Sequence, residues 1–205
     1  MTVALFTGLA LGLALIMPIG AQNVFVFNQG VTVGMPRALW AVVGASLCDT
    51  LLIVLGATGA SALLNSAPGL RPLMLAGGAA FLTYLGVQSL RAKPAEFDAD
   101  EAGSWSGARV LRRTAAVSLF NPHAILDTVG VLGAAIAAQA VATRPIFAVG
   151  VVSASWVWFL LLASAATALR RFLTKERRVW FDRASGAILL VFAARLAYEF
   201  VHTVI

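Results

Sequence analysis

The chain has 205 residues, of which 60% are hydrophobic and 12% charged, with a formal net charge of +6. Soluble domains carry about 25% charged residues, so this composition excludes an ordinary water-soluble fold and points to lipid. The basic residues collect between apolar runs, where they act as topology signals and not as a nucleic-acid footprint, and the single cysteine, Cys48, excludes an internal disulfide.

The first apolar run covers about residues 3–27, enough for the roughly 20 residues that a bilayer's hydrocarbon core demands. The residues before it hold no Lys or Arg, unlike a cleavable signal peptide, so the run is expected to be retained. Inside it lies Ile16-Met17-Pro18-Ile19-Gly20-Ala21-Gln22-Asn23. Proline removes a backbone donor and clashes one turn back, freeing carbonyls that must face protein or a water-filled cavity. Gly8 and Gly12 form a small-residue pair suited to close helix packing. Asn28-Gln29-Gly30, Gly34 and Pro36 read as the connection that follows.

The second run, about 38–64, starts near an interfacial Trp40 and carries Asp49 near its middle, with Gly56 and Ala60 as a second small-residue pair. Asn65-Ser66-Ala67-Pro68-Gly69 closes it, and a third run follows at about 73–90. The long connection at about 91–113 holds Glu96, Asp98, Asp100 and Glu101 and reads as a solvated linker without a site.

The fourth run, about 114–140, contains Phe120-Asn121-Pro122-His123-Ala124-Ile125-Leu126-Asp127. Aligning Pro18 with Pro122 sets Asn23 opposite Asp127. Arg144-Pro145 precedes the fifth run, about 146–169, whose Trp156 and Trp158 are read as packing residues, with stacking on a guanidinium as the alternative. A basic connection leads to the sixth run, about 184–203, with Trp180 as an interfacial anchor and Arg195 inside the run.

Six runs place the first, third and fifth connections on one side. They hold Arg37; Arg91, Lys93, Arg109, Arg112 and Arg113; and Arg170, Arg171, Lys175, Arg177, Arg178 and Arg183. The other side has only Arg71 and Arg144. The basic side is expected to be cytoplasmic, with both termini outside. Three runs per half make the halves inverted. The expected architecture is therefore an all-α integral membrane protein of one domain, 1–205, with six transmembrane helices as a 3+3 inverted repeat. Repeat 1 covers about 1–90, the cytoplasmic linker about 91–113 and repeat 2 about 114–205, with helices 1 and 4 broken at Pro18 and Pro122.

Matched interrupted helices in two inverted halves mark the central binding site of a transporter. A carboxylate at the bilayer centre costs about 2.5–3.5 kcal/mol on insertion scales, so Asp49 and Asp127 are candidate seats for a cationic substrate. Burial disfavours the charged form of a carboxyl group, which makes either one a candidate for proton exchange. Arg195 is the candidate internal counter-ion, or else a side chain that snorkels to the surface. Gln22, Asn23 and Asn121 are candidates both for substrate recognition and for bonding the freed backbone; His123 is a candidate proton relay. No phosphate loop, dinucleotide fingerprint, nucleophile elbow or metal-ligand cluster occurs, so neither an enzyme, a metal nor a cofactor is expected.

Met17-Pro18-Ile19-Gly20-Ala21-Gln22-Asn23, Gly44-Ala45-Ser46-Leu47-Cys48-Asp49-Thr50 and Asn121-Pro122-His123-Ala124-Ile125-Leu126-Asp127-Thr128 resemble the LysE/ArgO family of L-lysine and L-arginine exporters, along nearly the whole chain. The resemblance implies secondary active export of a basic amino acid across a bacterial inner membrane by proton antiport. It implies roles for Pro18, Asn23, Asp49, Asn121, Pro122 and Asp127. Ala124-Ile125 departs from the family pattern after Asn-Pro-His, which leaves pocket size, and Lys against Arg, open. Partners are then the substrate, protons and lipid, and a homo-oligomer is compatible. A cation channel or metal-ion exporter of related architecture is the alternative, and a membrane enzyme or a non-transporting subunit the remaining one.

Overall fold

The computed structural model describes residues 1–18, 20–58, 70–91, 106–120 and 125–204. Among them there are helices and no strand. In chain order these are α1 (Thr2–Ile16), α2 (Ala21–Thr32), α3 (Leu39–Ala57), α4 (Leu70–Leu90) and α5 (Gly107–Leu119). A π-helical segment π1 (Leu126–Leu132) runs into α6 (Gly133–Ala137), followed by α7 (Arg144–Arg170) and α8 (Lys175–Val204).

The first run is two helices, not one. The last backbone bond of α1 runs from the Met17 N–H to the Leu13 carbonyl at 2.9 Å, and Pro18 has no N–H to offer the next carbonyl. Gly20 is extended, with φ −122° and ψ 177°, and its carbonyl starts α2 by accepting from Val24 N at 3.0 Å. The two axes differ by 86°. The second proline, Pro122, lies outside the described residues together with Asn121 and His123.

Helix α2 is buried on nearly every side, including Gln22, Asn23, Asn28 and Gln29. This corrects the sequence reading of Asn28-Gln29-Gly30 as a connection. Those residue types favour turns where water solvates them, but here Gly30 allows close approach to α7: a Cβ would stand 2.6 Å from the Ala166 Cβ and 2.8 Å from the Ala163 carbonyl. The chain turns later, at Gly34, whose φ of +69° is in the left-handed region that favours glycine.

Two further boundaries shift. Helix α5 starts within the stretch assigned to the linker, capped by the Ser106 hydroxyl, which accepts from Arg109 N at 3.3 Å. Helix α8 starts at Lys175, so Lys175, Arg177, Arg178 and Arg183, assigned to a connection, occupy its first turns. Arg and Lys are good helix formers; their charge hid the helix because hydropathy alone marks lipid-crossing segments.

Small residues set the packing. Helix α1 lies along α7, with Gly8 against the Phe147 carbonyl and Gly12 where a Cβ would stand 2.7 Å from the Ala154 Cβ. Gly150 reciprocates against the Leu5 carbonyl. On the other side, α3 packs on α5, π1 and α6, with Gly56 and Gly133 in mutual contact: a Cβ on Gly133 would lie 2.7 Å from the Gly56 carbonyl carbon. Helices α4 and α8 pack along each other through Gly86 and Gly186. Such backbone approach is the packing that works where lipid removes the hydrophobic drive between helices.

Large apolar side chains face outward instead. Leu47, Leu51, Val54 and Leu55 on α3, Leu160 and Leu161 on α7, and Val191 on α8 are exposed, the inverse of a soluble surface. Leu39–Ala57, Arg144–Arg170 and Val179–His202 are each long and apolar enough to cross a membrane, and α1 with α2 passes the same test jointly. Segments 75–90 and 128–137 are apolar but shorter.

Candidate functional site

Asp49 lies halfway along α3 and is 7% exposed. Its neighbours are neutral. Gln22 Nε2, from the first turn of α2, donates to Asp49 Oδ1 at 3.1 Å, and Ser155 Oγ, from α7, donates to Asp49 Oδ2 at 2.6 Å. One carboxylate therefore ties together three helices. Gln22 Nε2 also reaches the Ala45 carbonyl at 3.4 Å, which fixes the amide against α3.

Among the described residues no cation pairs with Asp49. Two hydrogen bonds leave a carboxylate with unused acceptor positions, because its two oxygens offer about four lone-pair sites. Neutral donors orient a charge but do not cancel it. One turn along the same face of α3, Ser46 is fully buried and its Oγ has no partner among the described residues; Gln29 Oε1 in α2 is in the same condition. Buried polar atoms without a protein partner are uncommon.

Asn23 sits beside this arrangement and serves the break. Its Nδ2 donates to the Pro18 carbonyl at 2.7 Å and the Ile16 carbonyl at 3.0 Å, which are backbone acceptors at the end of α1. Its Oδ1 accepts from Trp158 Nε1 at 3.0 Å, so α7 holds the break in place. Of the two roles open to Asn23 in the sequence, the structure displays the backbone one. Trp156 Nε1 likewise donates to Thr50 Oγ1 at 3.2 Å. Both tryptophans, read as packing or stacking groups, are thus hydrogen-bond donors.

The other predicted residues divide. Gln22 and Asp49 meet directly. Asp127 is the second residue of π1, and its side chain, like Asn121, Pro122 and His123, lies outside what is described. Arg195 departs from the counter-ion reading: its side chain is 62% exposed on α8 and its Nε donates to Glu199 Oε1 at 3.3 Å, one turn away. It is bonded to its own helix and not to Asp49. Ser155, which meets Asp49, was not singled out in the sequence; the available signal was a polar group in the middle of an otherwise apolar run. No group of three His, Cys, Asp or Glu side chains that could hold a metal ion occurs among the described residues.

Residues 13–200 match the protein family described as LysE type translocator. The chain is 37% identical to YisU of Bacillus subtilis, which carries a provisional amino-acid transporter name, over 91% of this chain and 85% of that one. It is 38% identical to the arginine exporter protein ArgO of an Enterobacter strain, over 96% of this chain and 94% of that one. A Klebsiella pneumoniae ArgO is also 38% identical, over 95% and 93%. No solved structure matches.

Proposed function

Because the chain belongs to the family of LysE-type translocators, we propose that it is a multi-pass secondary exporter of a basic amino acid, L-arginine and/or L-lysine, across a bacterial inner membrane. The observation that carries this reading is the buried Asp49 carboxylate, held by the neutral donors Gln22 and Ser155. A cationic side chain entering at hydrogen-bond distance supplies the missing positive charge. At 4 Å and an effective dielectric near 20, that attraction is about 4 kcal/mol. The arginine exporters among the relatives make arginine the first substrate to test.

The cycle follows from the charge. With substrate bound, Asp49 is ionised and paired; with substrate released, a proton neutralises it for the return, which gives antiport. Asp127, Asn121 and His123 are the second half's contribution, as a further carboxylate, a polar contact and a proton relay, with Gln22 orienting Asp49 on the first half's side. The two halves are inverted 3+3 repeats forming six spans, with the basic connections cytoplasmic and both termini outside.

Reciprocal packing supports the repeat. Helix α1 lies on α7 as α5 lies on α3, and Gly30 approaches Ala163 on α7 much as Gly133 approaches Gly56 on α3. The bonds Asp49 to Ser155 and Thr50 to Trp156 then join α3 and α7 where the halves meet. A transporter's site belongs at such an interface. The direct test is counterflow of labelled arginine and lysine in proteoliposomes of the purified chain, with and without an imposed proton gradient. Saturable arginine flux that responds to the gradient is expected; flux of neither amino acid overturns the reading.

A further inference from the structure

Far from Asp49 along α7, a cavity of about 530 Å³ opens beside the end of the helix, lined by Met35, Ser164, Thr167, Ala168, Arg170 and Arg171. We propose that it seats the phosphate of an anionic phospholipid.

The cavity wall is built, not incidental. A Cβ at Gly34 would lie 2.7 Å from Arg170 Nη1 and 3.2 Å from its Cδ, so the turn after α2 closes directly over this guanidinium stem. Thr167 Oγ1 donates to the Ala163 carbonyl at 2.7 Å and reaches the Gly30 carbonyl at 3.4 Å, fixing the wall to α2. Arg171 packs over the Phe172 ring at 5.0 Å and lines the same cavity as Arg170. The two guanidiniums and the Ser164 hydroxyl form a donor set suited to phosphate oxygens, because guanidinium offers a planar fork of N–H groups. The same charges repel a basic amino acid, which separates this cavity from the substrate seat.

What argues for a lipid over a free anion is the surface continuous with the cavity. Val157, Leu161, Ser164, Ala168 and Arg171 recur at three- and four-residue spacing and are all exposed, so they form one outward stripe of α7. At 1.5 Å per residue Leu161 stands about 15 Å from Arg171, half of the roughly 30 Å hydrocarbon core. A headgroup at the arginines therefore lays its acyl chain along Leu161 and Val157. Phe172, also exposed, borders the headgroup end. The cavity sits where a basic stretch follows a membrane-crossing helix, and basic pockets of that kind on the cytoplasmic side bind anionic headgroups.

Native mass spectrometry of the full chain in detergent tests this, with dioleoyl phosphatidylglycerol, the matching phosphatidylcholine and inorganic phosphate offered separately. Wild type retains phosphatidylglycerol about tenfold over phosphatidylcholine, and Arg170→Gln with Arg171→Gln reduces phosphatidylglycerol retention by about thirtyfold, from about 1 kcal/mol per basic residue near the surface. Arg171→Gln alone, at an exposed position, lowers it severalfold without threatening the fold. Ala168→Trp fills the cavity, keeps both charges and also lowers it. Equal phosphatidylglycerol retention in these variants overturns the proposal. So does equal retention of the two lipids, full displacement by inorganic phosphate, or a dimer that disappears in Ala168→Trp while lipid retention is unchanged.

Discussion

Asp49 and Arg195 are both charged side chains within apolar runs, yet the fold treats them in opposite ways. Asp49 is buried where three helices meet and, among the described residues, holds only neutral donors. Arg195 lies on the outside of α8 and meets Glu199 one turn away. The arginine's charge is met locally, by a partner on its own helix, and asks nothing of the rest of the molecule. The carboxylate is oriented by neutral donors from two other helices, and in the proposed cycle its positive partner is the substrate.

The largest effect tests the Asp49 side of that contrast. Asp49→Asn keeps the shape and removes the charge, and removing one partner of a buried charge pair costs about 3–5 kcal/mol. Arginine flux should fall by at least about a hundredfold while the protein still inserts and purifies as a single species. Flux at the wild-type rate in this variant would show that the cation is held elsewhere.

Next comes Ser155→Ala, which deletes a 2.6 Å hydrogen bond to the carboxylate. Bonds to charged groups contribute about 1.5–3 kcal/mol, so the apparent affinity for arginine should weaken by about tenfold. Made in the Asp49→Asn background, the same change should add little, since the two residues act as one unit. Full additivity of the two effects would mean that Ser155 acts independently of Asp49.

Trp158→Phe probes the break and leaves the charge alone. It removes the indole donor to Asn23, a neutral hydrogen bond contributing about 1 kcal/mol. In a chain of this size that corresponds to a melting temperature about 2–4 °C lower, with arginine affinity within about twofold of wild type. A large loss of affinity at unchanged stability would move Trp158 from supporting the break into the substrate seat.

These residues differ in how visible they were from sequence, and the reasons are physical. Asp49 stood out as a charge in the middle of an apolar run, although Arg195 shows that such a charge can also be met on its own helix, and Gln22 and Asn23 stood out because they follow Pro18. Ser155 was not, because a serine in an apolar helix commonly bonds the carbonyl four residues back. Ser153 does so, donating to the Val149 carbonyl at 2.7 Å. Only the packing of α3 on α7 separates the two serines. Asn28 and Gln29 were misread for the converse reason: they favour turns locally, and tertiary burial in α2 overrode that preference. Helix starts at Gly107 and Lys175 were hidden because hydropathy marks where lipid begins, whereas a helix extends into water wherever its caps and residue propensities allow.

The smallest effect completes the contrast at Arg195. Ion pairs spaced four residues apart on a helix contribute about 0.3–0.5 kcal/mol where water reaches them, and the Arg195 side chain, 62% exposed, belongs to the type that snorkels towards the membrane surface. Arg195→Gln should therefore leave arginine flux within about twofold of wild type and shift the melting temperature by no more than about 1–2 °C. Measured beside Asp49→Asn under the same gradient, it separates charge that the molecule keeps for a ligand from charge satisfied within a helix. A loss in Arg195→Gln as deep as that in Asp49→Asn would return the arginine to the transport cycle, as a counter-ion that reaches the carboxylate in another conformation.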